Sequence, residues 1–368
     1  MLLALLNLIG LVTGAGEIGD SPKVELLFTG DAMQHQAQLD KALEIGQTNY
    51  DFSECYEMIS DDIQEADYAI CNLEVPLGGP GSYSGYPCFS APDSFLEALI
   101  DAGFDMFLTA NNHCLDRGDK AARRTLNVLD SLKVDHIGTF QDSVQRDSIA
   151  PFIKDINGFK IAFLNYTYGT NGIEPKEGFE VALIEKEKIR KEIEKAKSLS
   201  AEIIVVTIHW GIEYVLTENA VQRELAQFIA DSGADIIIGS HPHVVQPMKI
   251  ISSKDNKPVL VVYSLGNFIS NMKTADTRGG AMVWVTITRD KTGKAQFDHA
   301  DYDILFSAKP DDTHNYRIFP SHKEDLIPKW QKQHWEIFKR GALNIFNSHN
   351  EGVERHTYRY DKKNDTSK

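Results

Sequence analysis

The sequence predicts an α/β fold. Short β-branched, apolar runs recur along the chain, helix-patterned stretches separate them, and 42% apolar residues over 368 positions suffice for a sizeable core. Charged residues make up 25% and aromatics 10%, which excludes wholesale disorder. Lys plus Arg number 38 against 53 Asp plus Glu, a net charge of −15. A chain this acidic is not expected to hold nucleic acid by its phosphates, although net charge does not exclude one basic pocket. Cys55, Cys71, Cys88 and Cys114 are too few for a disulfide scaffold and form no CxxC pair, so they read as small buried thiols.

Taken in order, Met1 to Gly16 carries no charge. The stretch is shorter than the roughly 20 residues of a spanning helix. It ends in small residues and lacks a positive flank. It reads as an export signal or membrane anchor, with a buried first helix as the alternative. The body begins near Lys23, after Ser21-Pro22. VELLFTG leads to Asp31, YAIC to Asn72-Leu73-Glu74, FDMFLTA to Asn111-Asn112-His113, EIIVVTI to His209-Trp210-Gly211, ADIIIGS to His241-Pro242-His243 and PVLVVYSLG to Asn267. Runs of this length and composition read as buried strands. Helical patterns cover 52–65, 92–102 (opened by Pro92-Asp93 and stopped by Gly103), 119–133, 183–200 and 218–232. From about residue 306 the chain reads as a loop, then an aromatic-rich helix, then a solvated tail ending DKKNDTSK. The expected organisation is a leader over 1–22, one α/β domain over 23–305 and a C-terminal extension over 306–368.

In open α/β sheets ligands gather beyond the carboxyl ends of strands. Here successive strand ends supply carboxylates (Asp31, Glu74), an amide (Asn112) and imidazoles (His209, His241, His243). A lone buried histidine is more often a hydrogen-bonded core residue, and Asp or Asn after a strand usually makes a turn. Recurrence at successive strand ends argues for a metal site instead. Mixed N/O donors suit Mn, Fe, Zn or Ni better than calcium. If His241 and His243 lie on extended backbone, both project to one side. His113 follows Asn112, and Asp116 lies three residues on, an arrangement for a general acid oriented by a carboxylate. Arg117 and Arg278 are candidates to hold an anionic group, and Trp210 and Tyr214 to line a cleft or pack in the core. No G-x-G-x-x-G follows the first strand and no P-loop occurs.

The stretches FTGD (28–31), NLE (72–74), ANNHCLDRG (110–118), HWGIEY (209–214), GSHPHVVQP (239–247) and YSLGNF (263–268), in this order, resemble the calcineurin-like metallophosphoesterase superfamily, and within it the CapA, or poly-gamma-glutamate capsule synthesis, family. The resemblance implies a sandwich of two β-sheets flanked by helices with two divalent metal ions at the strand ends. It implies Asp31, Glu74 and His243 at a first metal, Glu74, Asn112, His209 and His241 at a second, and His113 as the general acid. The chain departs from the superfamily pattern in lacking the Asp-x-His opening. His35 lies four residues after Asp31 and is a further candidate ligand.

Two functions follow from the resemblance. One is a metal-dependent hydrolase (metals Mn, Fe or Zn) acting on a phosphate ester or an anionic polymer. The other is a non-catalytic accessory component that binds such a polymer beside membrane-bound synthesis and export proteins. The leader implies a cell-envelope location, with the cytoplasm as the alternative. A third reading, an α/β domain with structural histidines, predicts no bound metal.

Overall fold

The computed structural model describes residues 22–176 and 178–356. Its strands are β1 (Lys23–Ala32), β2 (Tyr68–Leu73), β3 (Met106–Leu108), β4 (Asp135–Ile137), β5 (Thr139–Phe140), β6 (Phe152–Ile156), β7 (Phe159–Thr167), β8 (Glu180–Val181), β9 (Ile203–His209), β10 (Ile236–Ser240), β11 (Met248–Ser252), β12 (Pro258–Val262), β13 (Asn267–Ile269), β14 (Gly279–Arg289), β15 (Ala295–Ala308), β16 (Arg317–Pro320) and β17 (Glu354–Arg355). Helices α1 (Gln36–Gly46), α2 (Ser60–Gln64), α3 (Asp93–Ala102), α4 (Gly118–Leu132), α5 (Ser143–Ile149), α6 (Lys186–Ser198), α7 (Ala220–Ser232) and α8 (Lys332–His349) lie between and after them.

The strands form two large sheets. One has the order β16-β15-β14-β1-β2-β3-β4, with β13 beside β1 and β17 beside β15, and the other has the order β11-β12-β10-β9-β7-β6. Within the first, β1 to β4 run parallel and β14 to β16 antiparallel. Within the second, β7, β9, β10 and β12 run parallel, with β6 and β11 antiparallel at the edges.

The period-two alternation of β1 shows how the layers stack. Leu26 and Phe28 point into a core shared with Phe163, Val205, Ile237 and Val261 of the second sheet. Leu27, between them, points the other way, into a core with Phe95 and Leu99 of α3 and Leu126 of α4. Ile189 and Ile193 of α6, Leu225 and Ile229 of α7, and Trp335 and Phe338 of α8 belong to the first of these cores. The chain is thus an α/β sandwich of two sheets flanked by helices.

The pattern over 52–65 resolves into a 3₁₀ turn at Ser53–Cys55 followed by α2. Asp51 Oδ1 accepts from the Ser53 amide and hydroxyl at 2.9 and 2.7 Å, which favours a turn there. Phe52, Cys55, Tyr56, Ile59 and Ile63 nevertheless all face the core.

The expected placement at the cell envelope is corrected. Among the described residues no helix is long and apolar enough to cross a membrane. The apolar run that suggested a signal or anchor is short of spanning length, has no positive flank and lies outside the described residues, as does the C-terminal tail.

Candidate metal centre

Strand register delivers the donors to one place. Asp31 pairs in register with Asn72 of β2 and with Asn267 of β13, and β1 is irregular between Phe28 and Asp31, the kind of local kink that re-aims a side chain. In the second sheet His209 is in register with Ser240. Two motif glycines allow the close approach this requires. A Cβ on Gly30 would lie 1.9 Å from the Gly266 carbonyl oxygen, and one on Gly239 would lie 2.1 Å from that of Tyr263. His241 and His243 are not extended. Their φ angles are +99° and +57°, a conformation that costs free energy for a non-glycine residue and is found chiefly where surrounding structure enforces it. The premise that they share one side of an extended strand is therefore corrected. The turn still brings their rings within 5.9 Å.

Asp31, Glu74, His209, His241 and His243 come together in a buried cluster. Glu74, His241 and His243 offer ligand atoms within 4.8 Å of one another, and so do Asp31, Glu74 and His209. Glu74 belongs to both groups, whereas the histidines are partitioned differently from the assignment the resemblance implied. Both Glu74 oxygens are buried and have no hydrogen-bond partner among the described residues, and the same holds for His241 Nδ1. His209 Nε2 lies 2.7 Å from Asn112 Oδ1 and 3.4 Å from Glu74 Oε1. Its Nδ1 is hydrogen-bonded to the Ser240 hydroxyl at 2.9 Å, which fixes the ring. His243 Nδ1 lies 3.0 Å from Asp31 Oδ2 and 3.1 Å from Asn267 Oδ1, two acceptors, so this nitrogen carries a proton.

Burial sets the electrostatics. Glu74 is pushed well above the ordinary carboxyl range by desolvation and by the Asp31 charge. Burial would raise Asp31 too, but the His243 hydrogen bond and charge outweigh it and hold the group at about 2. Desolvation lowers His209 to about 3, against the pull of Asp31, and lowers His241 to about 2, aided by the neighbouring His209 and His243. His243 goes the other way, to about 9, because Glu74 and Asp31 outweigh its desolvation.

His113 is buried beside this cluster. Its Nδ1 lies 2.8 Å from Asp116 Oδ2, and its ring packs edge-on against Phe89 at 4.7 Å. Asp116 is itself held by the Phe89 amide at 2.8 Å. Desolvation would lower the His113 pKa, but the Asp116 hydrogen bond and the Glu74 charge raise it.

The other candidates lie apart from the ligand groups. His35 packs edge-on to Phe89 at 5.2 Å, with its Nδ1 accepting from the Asn271 amide at 3.2 Å. Arg117 is exposed and donates to the Ser82 carbonyl at 3.2 Å. Arg278 is buried under α8, where it donates to Gln331 Oε1 at 2.7 Å and stacks over Phe306. Trp210 packs in the core and donates to the Tyr263 carbonyl. Tyr214 is 54% exposed at the mouth, 6.3 Å from the His243 ring. Sequence reasoning missed the supporting residues. Asn72 donates to Asp31 Oδ1 at 2.7 Å, and Tyr168 covers His241 with ring centroids 4.6 Å apart. The signal for Asn72 was its place inside NLE, next to Glu74.

The donor set fits a metal. Buried carboxylate oxygens without partners are costly unless a cation or donor meets them. His209, held neutral by burial and fixed at Nδ1 by Ser240, is an imidazole of the kind metal ligation uses.

Residues 25–272 match the family described as bacterial capsule synthesis protein PGA_cap. The chain is 29% identical over 274 residues to the capsule biosynthesis protein CapA of Bacillus anthracis, covering 72% of this chain and 64% of that protein. It is 28% identical over 282 residues to the PGA biosynthesis protein CapA of Bacillus subtilis strain 168, covering 74% of this chain and 69% of that one. Among solved structures, NAD nucleotidase (NadN) of Haemophilus influenzae aligns with a TM-score of 0.49 at 13% identity, covering 94% of this chain and 59% of that chain.

Proposed function

Because the chain belongs to the bacterial capsule synthesis protein PGA_cap family, we propose that its buried cluster is a dinuclear metal centre that hydrolyses a phosphate ester or an anionic capsule-type polymer. The observation that supports this most is Glu74, fully buried, with both oxygens unpartnered among the described residues and shared by two ligand groups. Asp31, Glu74, His209, His241 and His243 would hold two divalent ions such as Mn, Fe or Zn, with the Asn112 amide oxygen in reach of the His209 side. Bound there, the ions supply Lewis acidity at the reacting group and lower the pKa of the attacking water.

The remaining work falls to this chain's own residues. Asn72 and His243 orient Asp31, and Ser240 orients His209. Asp116 accepts from His113 Nδ1–H and, with the Glu74 charge, favours the imidazolium, so Nε2 carries the second proton, which it hands to the leaving oxygen while Nδ1 keeps its own. Tyr168 and Tyr214 wall the mouth.

The test is turnover of 4-nitrophenyl phosphate and of γ-glutamyl oligomers by metal-loaded wild type and His113→Asn. Loss of the general acid should lower turnover about 10²–10⁴-fold with metal content unchanged. A metal-loaded protein that binds the polymer and turns over neither substrate would favour the accessory, binding-only role.

A further inference from the structure

After the His113–Asp116 loop on the chain, a surface groove of about 820 Å³ runs along α4, lined by Arg117, Lys120, Arg123 and Arg124 on one side and by Gly78, Pro80, Gly81 and Ser82 on the other; Arg123 is taken up by the Gln141 carbonyl. Both walls follow site residues along the chain. The glycine loop follows Glu74 on the chain, and α4 follows Asp116. The two walls are tied where Arg117 donates to the Ser82 carbonyl. Two observations point to a ligand. First, the cations are unevenly satisfied. Arg124 is paired bidentately with Asp93, with both contacts at 2.7 Å, whereas Arg117 has no acidic partner and Lys120 no polar partner among the described residues. On a chain of net charge −15, two such cations on one groove are a local inversion of sign. Second, the facing loop leaves its backbone open to the groove at Gly81. Gly79 and Gly81 have φ of +86° and +81°. A Cβ on Gly79 would lie 2.8 Å from Arg124 Nε, whereas Gly81 faces open space.

The cations are spread rather than convergent. At about 1.5 Å rise per residue, Arg117, Lys120 and Arg124 span roughly 10 Å of the α4 axis. A single compact anion meets one of them at a time, but a chain with repeated anionic groups meets them in succession. We infer that this groove holds an extended polyanionic chain, with Arg117 and Lys120 as its contacts, on the stretch of α4 that follows the His113–Asp116 loop along the chain. This rests on the reading that the centre works on an anionic substrate. At 0.15 M salt the Debye length of about 8 Å confines the repulsion of distant acidic residues, so the groove's own charges decide binding.

The experiment is fluorescence anisotropy with a labelled oligoglutamate about ten residues long, on the full chain as purified and again after chelation. Binding should persist after chelation, weaken with salt, and fall at least tenfold in Arg117→Gln/Lys120→Gln. It should stay unchanged in Lys188→Gln/Lys191→Gln, which alters the basic cluster on α6. Polyphosphate that competes better than oligoglutamate would identify the chain as a phosphate polymer. Inorganic phosphate competing as well as either polymer would overturn the extended-chain inference. So would a wild type that does not bind, or a groove variant that binds as wild type. Because the chelated protein is tested and both substituted side chains are exposed, failure here is separable from failure of the metal reading, which metal content reports.

Discussion

Replacing Glu74 with Gln removes one carboxylate from both ligand groups while keeping its shape, and its effect should have opposite signs with and without metal. Without metal, Glu74 is a fully buried group with both oxygens unpartnered among the described residues, and burial together with the Asp31 charge raises its pKa. Each pH unit through which such a group is kept from ionising costs about 1.4 kcal/mol. The amide removes that cost but brings a buried NH₂ whose unmet bonds cost about 1–3 kcal/mol. Metal-free Glu74→Gln should therefore be as stable as wild type or slightly more so. With metal at a hundred times its dissociation constant, wild type gains about 2.7 kcal/mol. At about 2.1 cal/mol/K per residue over 368 residues, that is a rise of roughly 3–4 °C in Tm, and the variant should show none. Differential scanning calorimetry with and without added Mn or Zn reads both arms. A variant that keeps the metal-dependent rise would refute the shared role of Glu74. A metal-free variant that melts many degrees lower would refute the argument that this carboxylate is buried at a cost.

Three further outcomes are expected. Asp116→Asn should leave metal content intact and lower turnover of any hydrolysed ester by about 10²-fold or more, because without the carboxylate the doubly protonated His113 ring, the form that gives up the Nε2 proton while keeping Nδ1–H, loses the partner that favours it; wild-type turnover in the variant would remove Asp116 from the account. Gly30→Ala should destabilise the fold by about 1–3 kcal/mol and reduce metal content, since its Cβ would meet the Gly266 carbonyl at 1.9 Å and force β1 away from the Asn267 segment; denaturant melts and elemental analysis check both. Trp335→Ala should cost about 3–5 kcal/mol, because the indole is fully buried against Phe306 and its Nε1 donates to Glu324; a change below 1 kcal/mol would mean that α8 does not contribute to the core as described.

The parallel strands and their chemistry were legible because buried parallel strands read as continuous apolar runs and end where polar donors begin, as VELLFTG does at Asp31 and EIIVVTI at His209. The two longest strands, β14 and β15, were not read as such. Much of β15, AQFDHADY, carries acidic and imidazole side chains on a partly exposed half, which hides the period. The turn geometry of His241 and His243 was beyond sequence reasoning, because a positive φ is unfavourable for histidine itself and is enforced by the structure around the loop between β10 and β11. Asn72 reads as a turn former until register sets it against Asp31. Arg278 reads as an anion holder until α8 folds back and Gln331 takes its guanidinium, a contact 53 residues away along the chain.

The central claim is that the buried cluster is a dinuclear metal centre. Elemental mass spectrometry of the full chain, purified without chelator, tests it directly, with Asp31→Ala, His209→Ala and His241→Ala alongside. The account predicts about two transition-metal ions per wild-type chain and a loss in each variant. A wild type that holds no metal, even after reconstitution with Mn or Zn, would contradict it.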